Sequence, residues 1–506
     1  MLKKIDSFLN RTTMYKTVLY YLMALWVIAF FLSIFNFLPY TPASMIVSLV
    51  ILLVISSATN YIFSYVFEVP ANFESIYITV FILALIISPA TTPTEYIYLG
   101  WAGILSMASK YIFTIKHKHL FNPAAFAVVI TGLFINQYAS WWIGTLVMTP
   151  FVLVGGLAVI KKLKRTDLAL SFFIVALTSI LAFSFFNGFD IFSVFWKTLV
   201  ASPLLFFTFI MITEPLTTPP SRILRILYGT LLGILFFPQI HIGSLNFTPE
   251  IALLFGNIFS YLVGSKERLT LKFKRAIQLA PDTGEFVFES DIPLSFKPGQ
   301  YLEWTLGHKK VDLRGNRRYF TIASSPTEKE ILLGVKFYEK PSSFKTALAQ
   351  MKENDIIIAS QLSGDFVLPR NKKKKLVFIA GGIGVTPFRS MVKYLIDTRE
   401  QRDIILVYAN RTEEDIAYKN IFDLAIKVFN LRVIYVISDL KDKTINWTGK
   451  IGFVDEKMIK EQISDFSERT FYISGPPSMV SGIEKTIKNL GVKNSHIKTD
   501  FFPGFA

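Results

Sequence analysis

The first half of this chain is a series of long apolar runs separated by short breaks, and nothing else in the sequence restricts its fold as much. Ten such runs lie near residues 15–38, 43–66, 75–90, 96–115, 122–136, 141–160, 168–186, 191–212, 223–238 and 248–263. Most approach the roughly 20 residues that a helix needs to cross a bilayer. They are apolar all round, which suits lipid or a bundle interior better than the one-sided face of a soluble helix. The run at 122–136 is short and opens Asn122-Pro123, as a broken or re-entrant helix does. The reading is a polytopic α-helical membrane domain of about ten helices over residues 1–264, embedded in the lipid bilayer of the cell membrane.

Charge orients it. The 506 residues carry a net charge of +16, but the basic residues gather at the ends of apolar runs and mark topology rather than a nucleic-acid track. With the N-terminus inside, the inner connections hold Lys3, Lys4, Arg11, Lys116, Lys118, Lys161, Lys162, Lys164, Arg165, Arg222 and Arg225. The outer connections near 39–42, 91–95, 137–140, 187–190 and 239–247 hold no Lys or Arg. Ten crossings return the chain to the inside, which puts everything after Ser265 in the cytoplasm. There is no cysteine, so disulfides, thiolate-held iron–sulfur clusters and cysteine nucleophiles are excluded. Of the five histidines, no two are placed to face each other across a bundle, so haem held by paired histidines is not expected.

Two polar segments interrupt the apolar pattern on the inner side. One contains His119 and Asn122-Pro123-Ala124, the other Thr213-Glu214-Pro215-Leu216-Thr217. Pro and Thr can simply end and cap helices. Alternatively, broken helices expose backbone groups that need a partner, and an acid beside lipid must be paired, protonated or coordinated. The order and spacing of these segments resemble a family of ten-helix membrane proteins shared by the Rnf electron-transport complex and the sodium-pumping NADH:quinone reductase. That resemblance covers about residues 15–264 and implies flavin within the membrane domain. The family's covalent flavin motif, Ser-Gly-Ala-Thr on an outer loop, does not occur; the nearest string is Ser88-Pro89-Ala90-Thr91-Thr92. The expectation is a second, non-covalent flavin (FMN or riboflavin) near Asn122, Thr213, Glu214 and Thr217.

The second half reads differently. Alternating, turn-rich segments at 276–279, 285–289, 301–306, 319–323 and 331–337 predict antiparallel strands. Residues 317–321 read Arg317-Arg318-Tyr319-Phe320-Thr321. Arg318 can fork onto a pyrophosphate, Phe320 can stack on an isoalloxazine, and the Thr321 hydroxyl can reach a ring nitrogen. Pro341-Ser342-Ser343-Phe344 then opens a helix whose hydroxyls and amides suit an anion, or merely cap it. Further on, an apolar strand at 376–380 runs into Gly381-Gly382-Ile383-Gly384-Val385-Thr386-Pro387 and a helix, a dinucleotide cradle. Strands near 404–408, 432–437 and 471–473 alternate with helical stretches, so a parallel sheet follows. Ser474-Gly475-Pro476-Pro477 ends the last of these strands, and Lys372–375 reads as a solvated face.

In order and spacing these motifs resemble the ferredoxin–NADP reductase superfamily over residues 268–506. The resemblance implies a β-barrel FAD domain over 265–370 and an α/β parallel-sheet NAD(P)-binding domain over 371–506. It assigns FAD to Arg318, Tyr319, Phe320, Thr321, Ser342, Ser343 and Phe344. It assigns NAD(P)H to Gly381, Gly382, Gly384, Thr386, Pro387, Gly475, Pro476 and Pro477. Ser474 stands where the family has Cys, near the nicotinamide; Thr321, Ser474 and the C-terminal aromatic Phe505 (or Phe501) are the catalytic candidates. Arg411 can take a 2′-phosphate, yet Glu413, Glu414 and Asp415 crowd it, so NADH and NADPH both remain open.

The function expected is that of a membrane-bound NAD(P)H dehydrogenase passing electrons through FAD into a flavin-containing membrane domain. The final acceptor would be a quinone or an extracytoplasmic flavoprotein. A redox-driven ion transporter and an anchored reductase of a cytosolic partner are the alternatives.

Overall fold

The computed structural model describes residues 12–67, 73–115, 118–237, 239–242, 245–264, 269–309, 311–312, 315–429, 431–439 and 447–500. The chain divides into two compact units, Met1–Lys266 and Glu267–Ala506.

The first unit is helical. Its helices are α1 (Met14–Ile34), α2 (Pro42–Val66), α3 (Phe73–Ile86), α4 (Pro93–Ile112), α5 (Pro123–Ile135), α6 (Thr149–Leu163), α7 (Thr166–Phe186), α8 (Ile191–Val200), α9 (Leu204–Phe209), α10 (Arg222–Leu235) and α11 (Pro249–Val263). Caps explain several starts: Thr41, Thr92 and Thr248 each accept an amide three residues on, and each precedes a proline. Where α10 crosses α7, Gly229 and Gly233 let the backbones close up. A Cβ at Gly229 would lie 2.8 Å from the Leu168 carbonyl oxygen. Phe31, Val54, Ile174 and Phe186 stand exposed on outer faces, a surface suited to hydrocarbon.

Ten full crossings are not what the described residues contain. Three helices, α1, α2 and α7, are long and apolar enough to cross a membrane, or four if the bent pair of 191–213 counts as one span. Apolar content extends further than helix does. The run at 191–212 bends by 55° at its break. In the run at 141–160 the helix begins only at Thr149, after a series of turns. Helices α5 and α11 stop at 13 and 15 residues.

The second unit holds two six-stranded sheets. The first comprises β1 (Leu269–Ala280), β2 (Thr283–Ser290), β3 (Tyr301–Thr305), β4 (Arg317–Thr321), β5 (Ile331–Lys336) and β6 (Ile356–Ser363), in the order β4-β3-β6-β1-β2-β5. Its paired strands are antiparallel. The Ala323 N–H donates to the Leu332 carbonyl at 2.9 Å, joining the two edges into a barrel around Trp304, Phe288 and Phe344. The second comprises β7 (Leu376–Gly381), β8 (Ile404–Asn410), β9 (Arg432–Ile437), β10 (Lys450–Ile451), β11 (Thr470–Ser474) and β12 (Ile497–Asp500). Its order is β10-β9-β8-β7-β11-β12, all parallel. Strand order therefore reverses between β7 and β11, the crevice where open α/β sheets take ligands.

An ion cluster fastens one end of this sheet. Arg469 bonds Asp465 at 2.6 Å and Asp403 at 2.7 Å, and Lys375 reaches Asp465 at 3.0 Å. The Arg469 side chain, then Lys375, hold the Asp465 carboxyl down at about 2. A folded pKa below the unfolded one adds stability at pH values above the unfolded pKa, and that stability is lost as pH falls toward the folded value. Asp465→Asn is therefore expected to cost about 1 kcal/mol at pH 7, after allowance for solvent screening. It should cost almost nothing at pH 2, as thermal unfolding at the two pH values would measure.

Candidate functional site

Alternation along β4 places Arg318 and Phe320 on one face and Tyr319 and Thr321 on the other. Arg318 is fully buried. Its guanidinium donates to the Gly315 carbonyl at 3.1 Å and the Arg317 carbonyl at 2.6 Å, and lies 5.3 Å from the Phe344 ring centre. Phe320 meets the same Phe344 ring at 6.0 Å. On the other face the Tyr319 hydroxyl donates to buried Glu303 at 2.6 Å, and Tyr319 packs edge-on to Tyr301, the register partner of Thr321. Arg318, Phe320 and Phe344 are thus brought together, around a buried cation that favours an anionic neighbour.

Ser342 and Ser343 are already engaged. The Ser342 hydroxyl accepts the Lys345 amide at 3.3 Å as a helix cap. The Ser343 amide donates to an Asp312 carboxylate oxygen at 2.9 Å. Its hydroxyl accepts the Asp312 amide at 2.9 Å and lies 2.9 Å from His308 Nε2. This His308–Ser343–Asp312 knot had no signal in the sequence, because its members lie 31 and 35 residues apart.

At the switch point, β7 ends in Gly381 and turns through Gly382–Val385 into the helix Thr386–Thr398. Gly382 has φ +51°, a left-handed backbone open to glycine. A Cβ on Gly381 would meet Met479 Sδ at 2.1 Å; one on Gly384 would meet Gly475 Cα at 2.5 Å. The two turns therefore touch backbone to backbone. Ser474, in register with Ala380, is buried beside them, and Pro476-Pro477 leads into the helix Pro477–Asn489. Close backbone approach and a helix N-terminus are what a dinucleotide pyrophosphate requires, so these residues fit NAD(P)H. Arg411 is 75% exposed and bonded to Asp439 at 3.3 Å. Phe501 and Phe505 lie outside the described residues.

A seam couples the flavin strand to this cradle. Arg389, on the helix after the glycine turn, donates to Glu328 at 2.9 Å and, through its other terminal nitrogen, to the Ala323 carbonyl at 3.1 Å and again to Glu328. The Ser390 hydroxyl donates to the Ser324 carbonyl at 2.6 Å. Ala323 and Ser324 directly follow β4. Gly334 on β5 seats against the cradle: a Cβ there would lie 2.8 Å from both Thr386 Cγ2 and the Tyr418 hydroxyl. Burial pushes the neighbouring Glu285 carboxyl above the usual carboxylate range, and Arg389 pulls against it.

In the first unit, Glu214 draws both polar segments together. Asn122 Nδ2 donates to its carboxylate at 2.8 Å, the Thr217 hydroxyl donates at 3.2 Å, and His119 Nε2 lies at 3.4 Å. Asn122 also caps α5, and its amide donates to Asn257 Oδ1 at 2.8 Å. Asn257 in turn reaches the Tyr228 hydroxyl at 3.2 Å. Thr213 is not in the cluster; its hydroxyl turns back to the Phe209 carbonyl at 2.8 Å. Asn257 and Tyr228 went unnoticed in the sequence because each sits alone in an apolar run.

Residues 378–485 match the model of the oxidoreductase NAD-binding domain family. The reductase component of the glycine betaine monooxygenase of Chromohalobacter salexigens is 26% identical over 254 residues, 46% of this chain and 64% of that protein. NADH-cytochrome b5 reductase 1 of Mortierella alpina is 29% identical over 233 residues, 45% of this chain and 76% of that protein. One component of the Na(+)-translocating NADH-quinone reductase of Yersinia pseudotuberculosis is 28% identical over 243 residues, 45% of this chain and 59% of that protein. The chain thus spans less than two thirds of the first and third of these relatives. Taken with the barrel, the switch-point crevice and the glycine turns, these matches make the C-terminal half of this chain a ferredoxin–NADP reductase-type FAD/NAD-binding domain.

Proposed function

We propose that the chain is a membrane-bound NAD(P)H dehydrogenase that moves electrons from cytoplasmic NAD(P)H, by way of FAD, into its helical unit and on to a quinone or an extracytoplasmic acceptor. In this reading residues 1–264 are the membrane domain, 265–370 the FAD domain and 371–506 the NAD(P) domain. The observation that carries it is the seam, which ties the exit of the flavin strand at Ala323 and Ser324 to the helix of the nicotinamide cradle. FAD, when bound, supplies the conversion from a two-electron donor to single-electron delivery. Arg318 would hold its pyrophosphate, Thr321 would orient its ring, and Gly381, Gly384 and Gly475 would admit the nicotinamide nucleotide. Ser474 would keep a small polar group beside the reacting ring.

For the helical unit, the cluster of Asn122, Glu214 and Thr217 supports the likeness to the membrane proteins of the Rnf complex and its sodium-pumping counterpart, and a flavin held nearby. The name of one relative adds support. A component of a Na(+)-translocating NADH-quinone reductase is similar to about 45% of this chain, and in this reading the first half would correspond to a different, membrane-embedded component of such an enzyme. Ion translocation is the second reading, favoured by Glu250, which is 3% exposed inside the helical unit and bonded to the Trp141 indole at 2.7 Å. Sodium-stimulated turnover in proteoliposomes would support it.

The test uses the full chain in detergent. Glu214→Ala is expected to lower NADH:quinone activity at least about tenfold, since it leaves buried Asn122 and Thr217 without their carboxylate acceptor. NADH:ferricyanide activity should be unchanged. Equal loss of both activities, or loss of neither, would remove the helical unit from the electron path. A flavin count of two per chain is expected; one would remove the relay.

A further inference from the structure

A buried polar pair lies behind the glycine turn, where the barrel meets the nucleotide sheet. Glu285 on β2 is 7% exposed and stands in register with Gly334 on β5. The side chains of such a pair share one face of the sheet. Gly334 has none, and two atoms from across the joint take its place. One is the Tyr418 hydroxyl, the other the γ-methyl of Thr386, each 2.8 Å from where a Cβ would sit. The phenol thus crosses the joint, and its tip rests where Thr386 opens the helix that follows the glycine turn.

Tyr418 is held there against its own backbone preference. Its φ is +61°, a left-handed conformation that a bulky residue keeps only where its surroundings impose it. The Arg389 guanidinium lies 5.7 Å from its ring centre. One residue earlier, the Ala417 amide donates to the Tyr408 hydroxyl at 3.2 Å, which ties the segment to β8. The Tyr418 hydroxyl is buried and faces the Glu285 carboxyl, and neither it nor Glu285 Oε1 bonds any other group. For each, the other is the available partner.

We propose that Tyr418 and Glu285 are positioning residues for hydride transfer from the nicotinamide to the flavin. A hydrogen bond donated by the Tyr418 hydroxyl to the Glu285 carboxylate keeps the phenol against Thr386, and so sets the glycine turn relative to the flavin strand. Both residues act through Thr386, and the role rests on the nucleotide binding at that turn. A carboxylate accepts such a bond more strongly than a carboxylic acid does. Burial pushes the Glu285 carboxyl above the usual carboxylate range. Arg389 and the Tyr418 hydroxyl pull it down, Glu328 raises it, and Arg275, itself paired with Glu330 at 2.8 Å, lowers it. The bond is strong once Glu285 has ionised and weak before, so hydride transfer should quicken as pH rises through that ionisation.

The experiment follows flavin reduction by NADH in the full chain in detergent, from acid to alkaline pH. Tyr418→Phe keeps the ring and should slow reduction about tenfold at alkaline pH and little at acid pH, with flavin content unchanged. Glu285→Gln keeps an acceptor oxygen without the charge, so its rate should stay level where the wild type rises. Infrared spectra without nucleotide give a second readout. The carboxyl band missing from Glu285→Gln should titrate at higher pH in Tyr418→Phe than in the wild type, because the phenol favours the charged form. A Tyr418→Phe profile that matches the wild type overturns the positioning role, as does a Glu285→Gln rate that still rises, an unmoved carboxyl band, or flavin lost from Tyr418→Phe. Gly384→Ala, measured alongside, separates the two claims. If it is impaired where Tyr418→Phe is not, the nucleotide binds at the turn and only the positioning role falls.

Discussion

Gly384→Ala should lower kcat/KM for NADH by about 100-fold, the scale on which a displacement near 1 Å degrades a positioned reaction. The reason is the absence of space on either side of the added methyl. It would sit 2.5 Å from Gly475 Cα and 2.6 Å from Gly475 N, and both obstacles are backbone. One turn must retreat from the other, and the two together form the mouth of the switch-point crevice. Overpacking should also cost about 1–3 kcal/mol of stability. Gly482→Ala is the control. It lies in the helix Pro477–Asn489 with nothing within 4 Å of the added carbon, and alanine should stabilise that helix slightly. Steady-state kinetics with ferricyanide as acceptor reads both variants. If Gly384→Ala retains wild-type kcat/KM, the nucleotide does not bind where the two turns meet.

Arg389→Gln should destabilise the reductase half by about 3–5 kcal/mol, because it leaves the Glu328 carboxylate without its buried cation. It also frees the Ala323 carbonyl that the same guanidinium holds. Since Ala323 lies two residues after Thr321, FAD retention should fall with stability. The double variant Arg389→Met/Glu328→Leu separates broken charge from lost packing: an apolar pair of similar volume recovers most of the stability. Flavin release on heating measures all three proteins. A single variant within about 1 kcal/mol of wild type would show that the pair does not hold the seam.

What could be read from the sequence, and what could not, follows contact range. The glycine turn at 381–387, the strand at 317–321 and Ser474-Gly475-Pro476-Pro477 are runs whose chemistry is local, and each occupies the element expected of it. The seam is different. Glu328 and Arg389 lie 61 residues apart, and Arg389 in sequence is only a cation on a helix. A polar pair, Arg389 and Ser390, in a helix where Phe388, Met391, Val392 and Leu395 are all buried was the available signal. Likewise Ser343 reads as a free anion ligand until Asp312 and His308 come to it through space. In the helical unit, composition located the apolar runs correctly but not their lengths as helices. Proline and glycine breaks at 141–148 and 201–203 turn apolar sequence into non-helical structure, and apolar residues line a cleft as readily as they face lipid.

The seating of Gly334 has a broader meaning. With Gly334 seated against the glycine turn, and with Arg389 and Ser390 pinned across the joint, a swing of the two lobes of this half would have to break those bonds first. Donor and flavin would keep a constant separation throughout turnover. The pace of the reaction would then be governed by the coming and going of small molecules at a rigid body, not by that body opening and shutting.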